Sequence, residues 1–306
     1  MQFTGLPPLR LQRYNSGRSA GNSLPTDVED IGASVSFKVG FSLSVYDGHR
    51  NEEGRSYAMA TCVFKRIEKK YLLSEAQYNA LFQEIGSYLK PDKYGRSTVL
   101  SLYLDTPDRR IIRSSMEAVD YKEKLRLRSY GTAGADSTVF LELKKKFGGV
   151  VYKRRAAMTL KEAERYLRTG IRPFESQIMS ELDWAMRLYG RPTGAMLIAC
   201  EREAWFDEEH PDLRLTFDRD IRYRENELRL DRGSAGIRLL PGGTVLLEIK
   251  TAGAMPLWLA DALDAEAILP GSFSKYGTAY LHALEEKQRS VSMIEEEGGE
   301  KHVVNL

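Results

Sequence analysis

Apolar and polar residues alternate over much of the chain between residues 61 and 250, which is the pattern of strands that bury one face. The alternation predicts strands over residues 63–72, 98–105, 121–130, 138–146, 150–158, 195–206, 213–218, 221–223, 238–240 and 244–250. Apolar positions three and four apart predict helices over residues 75–90, 159–167, 175–189, 256–269 and 274–285. Ser74 and Thr159 stand where two of these helices begin and are candidate N-caps. The succession of elements predicts an α+β fold with a largely antiparallel sheet.

The two ends of the chain differ from this middle part. Residues 1–60 are rich in Gly, Ser, Asn and Pro, which predicts a flexible, disordered leader. Met59 is a candidate start of translation, and mass spectrometry of the natural protein would test it. Residues 286–306 carry an acidic run at 295–297 and predict a solvated tail. The expected folded domain is therefore residues 61–285.

Every second residue is charged in several predicted strands, and the residues between are apolar. In strand 121–130, Leu125 and Leu127 alternate with basic residues, so four cations project from one face. Four further strands repeat the arrangement. The residues on the charged faces are Lys122, Lys124, Arg126, Arg128, Glu142, Lys144, Lys146, Lys153, Arg155, Glu248, Lys250, Glu68 and Lys70, with single cations at Arg202 and Arg214.

Two interpretations of these faces are open. Ordinary amphipathic strands turn a charged face to water and an apolar face to the core. Adjacent cations repel one another, however, and ordinary solvent faces mix in Thr, Ser, Gln and acidic residues. Five faces that converge on a polyanion would explain the cations, because Arg and Lys suit phosphate oxygens and a few carboxylates suit a divalent cation. We therefore expect a barrel or tunnel with a polar, basic lumen and with helices packed outside.

Composition narrows the class of partner. The 306 residues include 45 Lys plus Arg and 43 Asp plus Glu, and this net charge of +2 argues against a protein that coats nucleic acid. Cys62 and Cys200 cannot form a disulfide framework, which suits a reducing compartment. No apolar run reaches the roughly 18 residues that a membrane span needs, and the N-terminus lacks a signal-peptide pattern. We expect a cytoplasmic protein without a membrane span in this chain and without a nucleic-acid partner.

Five short motifs, each weak alone, occur in an order that resembles a known family. They are FKRIEKKY at 64–71, KLRLRSY at 124–130, FLELK at 140–144, LEIK at 247–250 and FSKY at 273–276. Together they resemble the vacuolar transporter chaperone (VTC) domain, the polyphosphate polymerase domain of the triphosphate tunnel metalloenzyme (CYTH) superfamily. The resemblance covers residues 63–284, roughly three quarters of the chain.

The resemblance implies a tunnel that binds a nucleoside triphosphate such as ATP and a growing polyphosphate, with manganese or magnesium at an acidic ligand. The residues that it implies at the transferring phosphoryl group are Lys144, Arg126, Arg128 and Lys275. Those that it implies in binding phosphates are Lys70, Lys124, Lys153, Arg155, Arg202, Arg214, Lys250 and Ser274. Glu248 matches the metal-binding glutamate, and Glu142 and Glu68 are weaker additions from shared strand faces.

The chain departs from the wider superfamily on its first strand. The superfamily has Glu-x-Glu-x-Lys there, and Arg66 stands at the first Glu position while Glu68 and Lys70 match. One carboxylate fewer argues against a two-metal hydrolase and favours the polymerase branch. This sequence also contains neither the SPX domain nor the membrane helices that accompany the domain in fungal assemblies, so coupling to export by a membrane partner subunit stays open.

We therefore expect a phosphotransferase that passes the terminal phosphate of a nucleoside triphosphate to polyphosphate. Positioning and charge neutralisation dominate such a reaction, and a terminal phosphate oxygen needs no His or Ser base. Two alternatives are open: a triphosphatase or polyphosphate hydrolase in the same tunnel, and a non-catalytic module that binds polyphosphate or a nucleotide. Ser274 also fits a plain N-cap of the last helix.

Overall fold

A computed structural model describes residues 63–64, 67–117, 121–148 and 150–300. The strands are β1 (Val63–Phe64), β2 (Ile67–Ser74), β3 (Lys90–Asp105), β4 (Tyr121–Tyr130), β5 (Thr138–Phe147), β6 (Val150–Thr159), β7 (Thr193–Phe206), β8 (Arg214–Arg224), β9 (Ile237–Arg238) and β10 (Thr244–Thr251). The helices are α1 (Glu75–Ile85), α2 (Arg110–Glu117), α3 (Leu160–Thr169), α4 (Gln177–Leu188), α5 (Leu257–Ala265) and α6 (Lys275–Glu300). The predictions for residues 1–60, Met59, Cys62 and Arg66 lie outside the described residues.

The strands form one antiparallel sheet whose two ends come from neighbouring parts of the chain. The strand order is β1-β6-β5-β4-β3-β7-β8-β10-β2, with β9 beside β8. β1 and β2 lie at opposite ends of this order, although they follow each other almost directly in the sequence. An ion pair of 3.0 Å joins Lys144 Nζ of β5 to Glu68 Oε2 of β2. The sheet therefore curves until its distant strands meet across a lumen.

Buried aliphatic residues cover the outer face of this sheet. Leu125 and Leu127 of β4 are 1% and 2% exposed, and they belong to a core that also contains Ala163 of α3 and Leu182 of α4. A second core packs β2, β8 and β10 against α1 and α5. The leucines thus face helices and the alternating cations face inward. This confirms the expected fold class, an α+β fold with an antiparallel tunnel, a polar basic lumen and helices outside.

Both candidate N-caps are confirmed. Ser74 Oγ accepts a hydrogen bond from Gln77 N at 3.2 Å, and the Gln77 side chain accepts one from Ser74 N at 3.1 Å. Thr159 and Glu162 form the same reciprocal pair at the start of α3. Each capping box satisfies backbone donors that the first helical turn leaves free, which fixes where the strand before it ends.

Several element boundaries differ from the predictions, and one of them is the start of β3, which lies at Lys90 where residue 98 was predicted. Helix α1 ends at Ile85 instead of residue 90, because β3 already begins at Lys90 and pairs with Phe206 of β7. β8 is one strand where two were predicted. An extra residue at Asp220, whose φ is 46°, accompanies the register shift that carries the strand past the apparent break.

Helix α2 was not predicted. Its sequence is short and polar, and its start depends on a buried side chain. Asp105 Oδ1 and Oδ2 accept hydrogen bonds from the backbone N–H groups of Ile111 and Ile112 at 2.8 and 3.0 Å. Tyr276 of α6 donates its hydroxyl to the same carboxylate at 2.9 Å. The local sequence pattern could not predict α2, because Tyr276, which holds the Asp105 carboxylate, comes from a helix far away in the chain.

Helix α6 covers an apolar part of the inner face. Tyr276, Ala279 and Ala283 pack in one core with Tyr103 and Ile198, which lie on the face that also carries the cations. The helix continues to Glu300, so the segment expected as a tail from residue 286 extends this helix. None of the helices within the described ranges is both long and apolar enough to span a membrane.

Candidate functional site

Cross-strand pairing brings the predicted site residues into rows on the inner face. The rows, in strand order, are Lys153, Lys144 and Lys124; Arg155, Glu142 and Arg126; Glu68, Lys250 and Arg214; and Lys70, Glu248 and Thr216. Arg202 pairs with Asp218 in the same way. Because directly paired residues lie on one face, charges from seven strands share this concave surface. We call this surface the basic lumen.

Glu142 collects four of the cations. Its carboxylate lies 2.7 Å from Arg126, 2.9 Å from Lys153, 2.8 Å from Arg155 and 4.0 Å from Arg128. Burial acts to raise the pKa of Glu142, but these cations, Arg126 first, outweigh it and hold the pKa well below its ordinary value. The glutamate is therefore ionised at every physiological pH and holds the four cations together.

Lys275 links two acidic residues at the start of α6. Its Nζ lies 2.7 Å from Asp218 Oδ2 and 2.9 Å from Glu248 Oε1. Arg202 forms a bidentate pair with Asp218, both contacts being 2.6 Å, and Lys250 Nζ donates to Glu248 at 2.9 Å. Burial opposes these charges, but the ion pairs outweigh it. They lower the pKa of both carboxyl groups and raise the pKa of Lys275.

Glu68 neutralises a third group of cations. Its carboxylate lies 3.0 Å from Lys144 Nζ and 3.3 Å from Lys70 Nζ. Burial acts to raise the pKa of Glu68, but the charges of Lys144 and Lys250 outweigh burial and lower this pKa to about 2. Lys70 also donates to the carbonyl of Phe273 at 2.7 Å. The β2 strand is thus tied to β5 and to the residue just before Ser274.

Lys124 is half-buried among other cations. Its Nζ donates to Ser274 Oγ at 2.7 Å, and it forms no ion pair within the described part of the chain. Burial first, and then Lys70 and Lys144, lower its pKa to about 8 against the opposing effect of Tyr103. Burial likewise acts to raise the pKa of Tyr103, but Arg126 and Lys124 outweigh it and bring that pKa to about 8. This end of the basic lumen therefore carries positive charge that its carboxylates do not balance.

Ser274 fits both of the interpretations given above. Its Oγ accepts from Lys124 and also from Gly277 N at 3.2 Å, which is an N-cap contact at the first turn of α6. The cap therefore places Ser274 and Lys275 at the basic lumen.

Arg214 lies toward an opening of the basic lumen. Its guanidinium stands 4.9 Å from the centroid of the Phe206 ring. A cavity of about 520 Å³ opens beside it, and Arg202, Thr216 and Lys250 line that cavity as well. Thr216 Oγ1 is buried there and has no hydrogen-bond partner among the described residues. A polar ligand in this cavity would satisfy it.

The side chains available as ligands limit the kind of divalent-metal site that the basic lumen could form. Among the described residues no group of three or more His, Cys, Asp or Glu side chains is placed to hold a metal ion. Glu248 is 9% exposed and each of its oxygens contacts a lysine. Magnesium commonly takes one or two carboxylates and completes its shell with substrate phosphates and water. Glu248 fits that kind of site, in which the substrate brings most of the ligands.

Sequence reasoning missed two polar residues of the inner face. Asp218 is fully buried and Thr216 is 9% exposed, and both alternate with Arg214 along β8. The alternation of these polar residues with apolar ones could have indicated that they share a face with Arg214. It was missed because Leu215 and Phe217, which lie between them, are typical of an ordinary buried strand.

The fold and the rows of charge define a class of protein, a β tunnel whose inner face carries rows of cations. A family model described as the VTC domain matches residues 65–284, which is most of the chain. The chain belongs to the VTC domain family. This confirms the resemblance drawn from the five motifs, and the family's fold is one that binds triphosphates.

Comparisons with other proteins give distant matches. A Bacillus halodurans protein provisionally named an adenylate cyclase is 15% identical, with a TM-score of 0.44 over 68% of this chain and 93% of that one. A similarly named Vibrio parahaemolyticus protein is 13% identical, with a TM-score of 0.40 over 72% of this chain and 99% of that one. No curated protein matches the chain. These likenesses do not bear on activity.

Proposed function

We propose that the protein is a polyphosphate polymerase, which transfers the terminal phosphate of a nucleoside triphosphate to a polyphosphate chain inside the basic lumen. The observation that carries the proposal is Lys124, which is half-buried among cations and has a hydroxyl as its hydrogen-bond partner. A buried charge without a counter-charge is costly, and a bound polyanion would offset that cost.

An extended anion suits the spacing of the cations. Lys124, Arg126 and Arg128 follow one another at every second residue of β4, which separates them by roughly 7 Å each along a strand. Further rows on β5, β6 and β10 repeat that spacing around the lumen. A single phosphate would contact one or two rows, whereas a phosphate chain would contact them in succession.

The transfer itself makes modest demands on the protein. The bond between the γ-phosphorus and the oxygen that bridges to the β-phosphate breaks, and a bond forms to a terminal oxygen of the acceptor chain. The nucleoside diphosphate leaves with the electron pair of the broken bond. In this scheme Arg126, Arg128, Lys144 and Lys275 stabilise charge on the transferring group, while Lys70, Lys153 and Arg155 orient the two chains.

The carboxylates favour a phosphate acceptor over water. Activation of water by a protein side chain requires a base, and the efficiency of a base falls as its pKa falls below the working pH. Glu68 has a pKa of about 2, and the pKa values of Glu142 and Glu248 lie well below their ordinary range. A terminal phosphate oxygen needs no such base. This argues for the polymerase over the hydrolase.

Glu248 is the residue that we propose to hold a divalent metal. When bound, manganese or magnesium would neutralise charge on the phosphates. Glu68 and Glu142 are weaker candidates, since they come from shared strand faces and not from a match to the metal-binding glutamate. The four cations around Glu142 favour an ion-pair role for that residue.

The test is to incubate the protein with ATP and manganese or magnesium and to resolve the products by gel and by phosphate release. Long phosphate chains would support the proposal. Free phosphate without chains would show a hydrolase, and binding without turnover would show a non-catalytic module. Either result would overturn the proposal.

Two variants and a control locate the activity. Glu248→Gln and Lys144→Ala should each abolish turnover, by at least about 100-fold, while the protein stays folded. Lys161→Ala, at an exposed position of α3, should retain full activity. Full activity in both lumen variants would show that the active site does not lie in the basic lumen.

A further inference from the structure

A bulge in β3 overhangs the cavity beside Arg214. The pairing of β3 with β7 jumps from Pro91 with Trp205 to Arg96 with Glu203, so residues 92–95 lie opposite Ala204 alone. Tyr94 N donates to Asp92 Oδ1 at 2.9 Å, and Gly95 has a φ of 55° that closes the turn. Bulges of this kind redirect side chains and occur often beside functional sites.

The bulge presents an exposed aromatic ring. Tyr94 is 58% exposed, and its ring lies parallel to that of Tyr130, with centroids 5.8 Å apart and an angle of 5° between the rings. Tyr130 is fixed in turn. Arg155 donates to its hydroxyl at 2.9 Å, and the Phe140 ring meets it edge-on at 5.9 Å. A π surface that is already held in place costs little further ordering when a ligand stacks on it.

The same cavity contains two kinds of binding group. Tyr94 and Tyr130 line it together with Arg202, Arg214 and Lys250, and its volume of about 520 Å³ is within the usual range for small-molecule sites. The aromatic rings suit a flat heterocycle, and the cations suit phosphates. A ligand that carries both groups is a nucleotide, whereas inorganic polyphosphate would use the cations alone.

We propose that the Tyr94–Tyr130 pair binds the base of the nucleotide, with the phosphates directed toward Arg202 and Lys250. The inference rests on the proposed function. It adds the orientation of the nucleotide in the lumen and explains why the protein would prefer a nucleotide to inorganic triphosphate. The base stacks on the exposed face of Tyr94. Larger purine rings stack over more area, so ATP and GTP bind more tightly than CTP and UTP.

Binding measurements by calorimetry on the full chain, with ATP and with inorganic triphosphate, test this. Tyr94→Ala should weaken ATP binding about tenfold, because base stacking on an aromatic side chain is typically of that size. It should leave the affinity for inorganic triphosphate within about twofold, since the cations are unchanged. Tyr94→Phe keeps the ring and should bind ATP as the parent protein does.

Tyr88→Ala is the matched control. Tyr88 is 50% exposed and stacks on Trp258 with centroids 4.5 Å apart, outside the cavity. It should change neither affinity. Unchanged ATP binding in Tyr94→Ala, or an equal loss for both ligands, would overturn the nucleobase site and leave the proposed function intact. Failure of the parent protein to bind either ligand would overturn the proposed function instead.

Discussion

Glu142 of β5 joins four cations on the two neighbouring strands, β4 and β6, and its side chain is 1% exposed. Replacement by glutamine keeps the shape of the side chain but removes the charge that Arg126, Lys153 and Arg155 share. Removal of one partner from a buried ion pair typically costs more than the pair contributes, because the remaining charge stays buried.

We predict that Glu142→Gln lowers the free energy of unfolding by about 3 kcal/mol in denaturant titrations. Glu181→Gln is the control, since Glu181 pairs with Arg154 on the partly exposed outer surface and should cost less than about 1 kcal/mol. Equal losses in the two variants would show that the lumen cations do not depend on Glu142.

Lys124 and Tyr103 make anion binding depend on pH. Both have a pKa of about 8, Lys124 because burial disfavours its charge and Tyr103 because nearby cations favour the ionised phenolate over the effect of burial. As the pH rises through 8, Lys124 loses a positive charge and Tyr103 gains a negative one. The other charged groups that face Lys124 are Lys70, Lys144 and Arg126, and Glu142 raises the pKa of Arg126 against the effect of burial.

We predict that affinity for inorganic triphosphate falls about tenfold from pH 7 to pH 9 at low salt. The double variant Lys124→Arg with Tyr103→Phe removes both titrations, so its affinity should stay level across that range. A parent protein with constant affinity from pH 7 to pH 9 would rule out this pair as the cause.

At the scale of an element, helix α6 consists of a packed first part and an exposed second part. Tyr276 is 2% exposed, stacks on Tyr103 with centroids 4.5 Å apart and donates to Asp105. Residues 284–290 are exposed. The first three turns therefore fix the helix to the sheet and to α2.

We predict that a chain ended after Ser290 melts within about 2 °C of the parent protein, because the removed residues follow the packed turns. Tyr276→Ala should instead lose about 3–5 kcal/mol of stability, as expected when a buried aromatic side chain is truncated. Thermal and denaturant unfolding would measure both. If the shortened chain were as unstable as Tyr276→Ala, the residues after Ser290 would contribute to stability and the prediction would be wrong.

Most elements could be predicted because their signals are local. The alternation of leucine with cations in β4 and the capping residues Ser74 and Thr159 depend only on neighbours in the chain. Helix α2 and the bulge before Arg96 could not, because each is held by partners from distant strands and helices.

At the scale of the whole molecule, the basic lumen is a concentration of like charge in a protein whose net charge is only +2. Charges of one sign in a confined space repel one another, and a bound anion relieves that repulsion. A ligand that binds only the folded state raises its stability according to mass action.

We predict that inorganic triphosphate at about 100 times its dissociation constant stabilises the protein by about 2.7 kcal/mol, seen as a higher melting temperature. Orthophosphate at equal ionic strength should give a smaller shift, since it contacts fewer rows of cations. Equal shifts would mean that general screening, and not an extended site, accounts for the effect.

The sequence by itself determined the alternation of charge along each strand, because side-chain direction in a strand depends only on odd and even positions. It thereby determined which cations share a face. Tertiary structure decided which carboxylate each cation meets, since Lys144 reaches Glu68 and Lys275 reaches Asp218 only through strands and helices far apart in the chain. It also decided where Tyr94 stands, because the bulge forms where β3 pairs with β7, a strand about 100 residues further along the chain.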